Sequence, residues 1–239
     1  MTGAPRPAGS SRHARRASRC GELDIEFRLD SRTVADALVI FKPDAAYRLA
    51  ARAGIWGWLA SEREWKIESL TWFQPPASLI EGHYDFLAGR PFFGWLVDFM
   101  TALPMVVGRV TAAPDALERM RYDMGETRIQ QSRPGSLRER YGIYGGVNCL
   151  HLSDAPETGT AEVARWSKFV QLDKLEVELD VDSNKPDHTF HLRSLATQVA
   201  GGIHVDLASQ MIRELMAEES DLQGPQLEAL FRITLGALA

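Results

Sequence analysis

The sequence predicts a mixed domain of strands and helices, α+β or α/β, followed by a C-terminal appendage. Three observations carry that expectation. Short apolar runs recur between residues 37 and 150, the segments between them place apolar residues at helical spacing, and prolines and glycines mark the boundaries. Ala37–Phe41 is a continuous apolar run of the buried-strand type, and Pro43 marks its exit. A helix is expected from about Ala45 through Leu59, after which Lys66–Phe73 returns as a strand. Pro75-Pro76 stops that strand, and a helix follows through about Leu87. Phe92, Leu96, Phe99 and Met100 then repeat at helical spacing. Met105–Val110 reads as a strand, Pro114–Met120 as a helix, Val147–Leu150 as the last core strand and Thr160–Val170 as the helix after it.

The flanks are different material. Residues 1–21 carry Arg6, Arg12, Arg15, Arg16 and Arg19 and no acidic residue before Glu22, with too little apolar surface to order themselves. They are expected to form a disordered basic tail. An Arg- and Ser-rich organelle transit peptide is the alternative, which Pro5, Pro7 and the lack of large apolar residues weigh against. The segment has no apolar stretch of the secretory-signal type. Leu23, Ile25, Phe27 and Leu29 alternate with polar residues as in a half-buried strand. Beyond Val170, Leu175, Val177, Leu179 and Val181 alternate in the same way, and residues 180–187 form a polar turn region. Helical spacing returns in Leu192–Gly201, Val205–Met216 and Pro225–Leu238. His188, His191 and His204 are not at metal-ligand spacing. The expected division is therefore a tail at 1–21, a main domain at 22–170 and a helical/strand appendage at 171–239.

A chain of 239 residues with 45% hydrophobic and 25% charged content is an ordinary globular composition. No apolar run approaches the ~20 residues that span a bilayer, which argues against a membrane partner. A net charge of −5 argues against a specific nucleic-acid partner. The two cysteines, Cys20 and Cys149, make neither a disulfide framework nor a metal cluster, and Cys149 suits a buried thiol in a reducing compartment.

The stretch Asn148-Cys149-Leu150-His151-Leu152-Ser153-Asp154 places a histidine where the last apolar run ends and a loop begins. Ser153 and Asp154 are residues that satisfy free N–H groups at loop and helix starts. A neutral imidazole in such a place can act as a nucleophile or general base, and the same place suits a satisfied polar histidine. Upstream lie Leu-Val-Ile-Phe-Lys-Pro-Asp at 38–44 and His-Tyr-Asp-Phe-Leu-Ala-Gly-Arg-Pro-Phe-Phe at 83–93. Arg-Tyr-Asp-Met-Gly-Glu-Thr follows at 121–127 and Pro-Gly-Ser-Leu-Arg at 134–138. No Walker-type glycine-rich lysine loop is present, so a phosphate site in this chain has to be built from side chains.

Together and in this order, these motifs resemble the nucleoside diphosphate kinase family over residues 36–168. The resemblance implies a ferredoxin-like βαββαβ sandwich with a four-stranded antiparallel sheet, which the strand count accommodates without selecting. It implies transfer of the γ-phosphate of a nucleoside triphosphate to a nucleoside diphosphate through phospho-His151, ping-pong and Mg2+-dependent. It further implies Lys42, Arg121 and Arg138 on the phosphates, a hydroxyl from Thr127, and Tyr84 hydrogen-bonding near the nucleophile. Asn148 would contact the sugar, Phe92 would stack on the base, and Glu162 would hold the far imidazole nitrogen. Asp154 would assist the Mg2+-phosphate end. A homo-oligomer is implied as well, and a cytoplasmic location is expected, or the mitochondrial matrix if the tail is a transit peptide.

Each residue also has a structural reading: surface charge for the cations, core packing for Phe92 and Phe93, a helix-start acid for Glu162. Four positions depart from the family pattern. Leu152 replaces a glycine and is expected to add bulk beside the reacting centre. Gly145 replaces a valine that closes the base slot, Ala45 replaces a glycine and Arg128 an asparagine. The alternative function is a nucleotide-binding or scaffolding protein that keeps the pocket, with Leu152 obstructing transfer. A third reading is a histidine phosphotransferase with a protein acceptor.

Overall fold

The computed structural model describes residues 34–61, 64–174, 179 and 184–238. The strand expected at 23–29 and the basic tail lie outside the described residues, as does all of the alternating run at 175–181 except Leu179, which is buried. Among the described residues, no helix is long and apolar enough to cross a membrane.

Four strands, β1 (Ala35–Phe41), β2 (Trp65–Phe73), β3 (Met105–Ala112) and β4 (Leu150–Leu152), form one sheet in the order β2-β3-β1-β4. Every neighbouring pair is antiparallel, with Ala37 opposite Val110 and Ile40 opposite His151. This is the ferredoxin-like sandwich that the resemblance implies. Because β1 is central, its alternate side chains feed two cores. Leu38 and Ile40 enter one core and Ala37, Val39 and Phe41 the other.

The second core is covered by α1 (Pro43–Tyr47), α2 (Leu49–Ser61), α5 (Pro114–Met124) and α6 (Leu137–Tyr141). The first is covered by α3 (Ala77–His83), α4 (Phe93–Thr101) and α7 (Pro156–Trp166). The appendage helices α8 (Thr189–Ala200), α9 (Val205–Glu219) and α10 (Gly224–Gly236) join that same core through Leu192, Ile212, Met216 and Leu230.

Several elements differ from their sequence expectation, among them the helix expected at Thr160–Val170, which runs Pro156–Trp166. The helix expected from about Ala45 through Leu59 is two helices, broken at Arg48 (φ −83°, ψ 101°). Arg48 is drawn into the interior, where its guanidinium bonds Glu219, Thr189 and the Tyr141 carbonyl (2.7 Å). Satisfying a buried cation outweighs one helical turn. The helix expected through Leu87 ends at His83, and a 3₁₀ turn covers Asp85–Leu87. The last strand is Leu150–Leu152 rather than Val147–Leu150, so His151 sits within it and not at its exit. Cys149 takes φ +64°, with its N–H donating to Asp44 Oδ2 (3.0 Å) and its carbonyl accepting from Lys42 N–H (2.9 Å). That kink feeds the chain into the sheet three residues later than the apolar run suggests.

α7 lies directly on β1, and Gly159 permits the approach, since a Cβ there would sit 2.0 Å from the Asp36 carbonyl oxygen. Gly159→Ala is expected to cost about 2–3 kcal/mol by pushing the helix off the strand. Urea denaturation reads this directly; an unchanged midpoint would show the contact to be slack.

Candidate active site

The candidate site forms where β4, the start of α1 and α7 meet. His151 faces the same side of the sheet as its cross-strand partner Ile40, and its Nε2 lies 3.1 Å from Glu162 Oε2 in the second turn of α7. The same carboxylate oxygen accepts from Ser153 Oγ (2.6 Å), and that hydroxyl accepts from the Leu38 backbone N–H (2.8 Å). The sheet thus places the carboxylate and the carboxylate orients the imidazole. Burial raises the pKa of Glu162, but the hydrogen bonds from His151 and Ser153 override it and hold the group at about 2. An ionised acceptor there fixes the imidazole proton on Nε2 and leaves the lone pair on Nδ1.

His83 closes the back of this arrangement. Its ring meets those of His151 (4.7 Å between centroids) and Tyr84 (4.5 Å) edge to face, and Trp166 Nε1 donates to its Nδ1 (3.1 Å). Burial and the neighbouring His151 push its pKa down to about 3, so its 3.8 Å approach to Glu162 is not an ion pair. His83, His151 and Glu162 have donor atoms within 4.8 Å of one another, close enough together to suggest metal ligation. The Trp166 bond occupies the His83 Nδ1 lone pair and leaves the proton on Nε2, so His83 offers no lone pair to an ion.

Lys42 and Arg138 are joined in one hydrogen-bonded chain, and Arg121 and Arg138 both bond carbonyls of β4. Lys42 Nζ donates to Asn148 Oδ1 (2.7 Å) and to the Gly146 carbonyl (3.4 Å). Asn148 Nδ2 donates to the Thr127 carbonyl (2.9 Å), and Arg138 reaches Thr127 Oγ1 (3.3 Å) and the Gly125 and Leu150 carbonyls (3.1 and 2.8 Å). Arg121 donates to the Leu152 carbonyl (2.8 Å) and pairs with Asp154 Oδ1 (2.6 Å). Lys42 and Arg138 are buried, 6% and 4% exposed, which rules out the reading of either as a solvated surface charge. Burial, then the Arg138 charge, lowers the Lys42 pKa to about 8.

Around β4 the structure therefore gathers three hydrogen-bonded sets: Lys42, Asn148, Thr127 and Arg138; Arg121 and Asp154; and His151 and Glu162. Tyr84 packs beside His151 (6.2 Å between rings), but its buried hydroxyl has no hydrogen-bond partner, contrary to the bond expected near the nucleophile. Phe92 is 48% exposed at the start of α4 while Phe93 packs against the core, so one of the adjacent pair is core and the other is not. No hydrogen bond or ring contact joins Phe92 to the others among the described residues. Asn148 is 1% exposed with both ends of its amide bonded, so a sugar contact has to take over one of those bonds.

Leu152 corrects an expectation. It is fully buried in the core opposite His151, beside Val39, because neighbouring residues on a strand point to opposite faces. Its side chain adds no bulk at the imidazole. Gly145 has φ +50° with open space where a Cβ would stand. The residues that sequence reasoning missed are His83 and Trp166. The adjacency of His83 to Tyr84 in one motif is a signal for the first; Trp166 lies outside every motif.

An antiparallel sandwich holding a carboxylate-oriented histidine beside a lysine and two arginines is the arrangement of a phosphotransferase. The comparisons with known proteins agree. The family model described as nucleoside diphosphate kinase matches residues 35–171, more than half of the chain. The nucleoside diphosphate kinase of Chloroflexus aurantiacus is 36% identical over 131 residues, 54% of this chain and 83% of that protein. That of Carboxydothermus hydrogenoformans is 34% identical over 145 residues, 59% of this chain and 93% of that protein. Among solved structures, the Aquifex aeolicus nucleoside diphosphate kinase superposes with a TM-score of 0.52 at 32% identity, covering 59% of this chain and 99% of that one. The Encephalitozoon cuniculi enzyme gives 0.52 at 26%, covering 61% and 95%. The chain belongs to the nucleoside diphosphate kinase family. Helices α8–α10 lie beyond the matched residues.

Proposed function

We propose that the chain moves the γ-phosphoryl group of a nucleoside triphosphate to a nucleoside diphosphate in two steps at His151. The observation that carries this reading is the Glu162–His151 bond, which leaves the Nδ1 lone pair as the nucleophile. In the first step Nδ1 bonds the γ-phosphorus as the bond from that phosphorus to the β–γ bridging oxygen breaks. The nucleoside diphosphate leaves with that electron pair. In the second step a terminal β-phosphate oxygen of the acceptor attacks the phosphorus, and the P–N electrons return to Nδ1.

Such transfers ask the protein for positioning and positive charge more than for covalent chemistry. Lys42, Arg121 and Arg138 supply the charge, and the Thr127 and Tyr84 hydroxyls are at hand for phosphate oxygens. The exposed Phe92 ring offers a face for a base to stack on, which reads little of its identity. Mg2+ bound to the phosphates would neutralise charge there; it takes oxygen ligands and keeps several waters, which fits the exposed Asp154 carboxylate. On family membership the reading extends to a homo-oligomer.

Incubation with γ-labelled ATP and Mg2+ tests the reading. It expects an acid-labile label on the protein that chases into triphosphate when a nucleoside diphosphate is added. Binding of ATP with no label would sink it.

The lowered Lys42 pKa adds a pH signature. The charged form persists below about 8 and is lost above it. The nucleotide KM should therefore climb by up to about tenfold per pH unit past that point, with Lys42→Arg flattening the climb because guanidinium stays charged. Stability moves the other way. Between about 8 and the ordinary lysine value of 10.5, the unfolded chain binds more protons at this group than the folded one, so its contribution to stability rises with pH. A weakening of binding in that window is therefore not unfolding caused by Lys42. A KM that stays flat through pH 9 would remove Lys42 from the phosphate site.

A further inference from the structure

Residues 142–148 form a tight turn that carries the two groups holding Lys42, the Gly146 carbonyl and the Asn148 amide. Ile143 and Tyr144 N–H donate to the Val147 carbonyl (2.9 and 3.3 Å), and Val147 N–H returns a bond to Tyr144 (2.8 Å). The centre of the turn is Gly145-Gly146, the least constrained pair a chain can use. Something outside the turn has to supply the missing stiffness.

One appendage helix bonds the turn directly, and the other two act on it or on the adjoining α6 through an intermediate side chain. From α8, Arg193 donates to the Gly142 carbonyl through Nε (3.2 Å) and Nη2 (2.8 Å), and Nη2 also bonds the Glu139 carbonyl. These carbonyls lie at the C-terminal end of α6, the helix that carries Arg138, where a cation is favoured by the helix dipole. α9 acts through Glu219, which pairs with Arg48 while Arg48 Nη1 donates to the Tyr141 carbonyl (2.7 Å). α10 acts through Trp95, whose indole donates to the Ile233 carbonyl (2.8 Å). That indole is wedged between two glycines, since a Cβ on Gly236 would stand 2.8 Å from it and a Cβ on Gly146 2.7 Å.

We propose that α8–α10 are a built-in brace for the nucleotide site, with Arg193 and Trp95 as positioning residues that hold the 142–148 turn and α6 so that Lys42, Asn148 and Arg138 meet the nucleotide. This rests on the nucleotide-site reading above. A brace of this kind sets binding in the ground state and transition state alike, so its loss raises KM and spares kcat. It leaves the Glu162–His151 pair on α7 and β4 untouched.

Arg193→Met in the full chain, which keeps the apolar stem and removes the donors, tests it. The KM for a nucleoside diphosphate should rise about tenfold, with kcat within about twofold. The amides of Ile143, Tyr144 and Val147 should exchange hydrogen faster while those of β1 and β3 keep their protection. Arg213→Met removes an exposed α9 arginine paired with Glu228 and should leave all of these at wild-type values. Wild-type KM and wild-type exchange in Arg193→Met would overturn the brace, as would protection lost equally across the sheet. If the wild-type chain forms no phosphohistidine, the nucleotide reading fails, and exchange at the turn alone decides whether the brace exists.

Discussion

His151→Ala should abolish the acid-labile label and lower transfer on the order of 10⁵-fold or more, the scale on which removing a covalent nucleophile acts. Nucleotide binding should survive nearly intact. The bonds of Lys42, Asn148, Thr127 and Arg138 run to one another and to backbone carbonyls and none runs to the imidazole, so this set of bonds persists without it. Glu162 also keeps its bond from Ser153. Rapid-quench labelling with a parallel nucleotide titration separates the two effects. A variant that still takes an acid-labile label would move the nucleophile elsewhere. His83 is a poor second choice, being buried with its Nδ1 already accepting from Trp166.

Leu152→Gly, the change that restores the family residue, should destabilise the protein by about 3–5 kcal/mol and bring no gain in transfer. The side chain is fully buried in the core opposite His151, at the position paired with Val39, so removing it opens a cavity and adds a glycine's backbone freedom to a short strand. Its carbonyl bond from Arg121 is a backbone contact and stays. Denaturant midpoints beside kcat measure both halves of the expectation. Faster transfer at unchanged stability would reinstate the idea that this side chain obstructs the reacting centre.

His151 and Leu152 mark where the sequence is legible and where it stops being so. The ordered motifs at 38–44, 83–93, 121–127, 134–138 and 148–154 carried the family, the sandwich fold and the residues that surround the imidazole. They are legible because the identity and order of residues are local properties of the chain, and the resemblance they carry, not the hydrophobic period, implied the sandwich. The same locality explains the misses. The last strand ends two residues beyond the apolar run and so takes in Leu152, and its placement follows from Cys149 bonding to Asp44 and Lys42, residues more than a hundred positions away. The apolar run alone could not say that the strand extends to Leu152, whose alternation with His151 then turns it to the opposite face.

Long-range pairing decided the rest. The break at Arg48 follows from Glu219, and the tautomer of His83 follows from Trp166. The sequence by itself determined which chemistry this chain carries, because identity and order of side chains are written there. Only the tertiary structure decided how that chemistry is held, including the use of α8–α10, since a buried charge or carbonyl takes whichever partner the fold brings within reach.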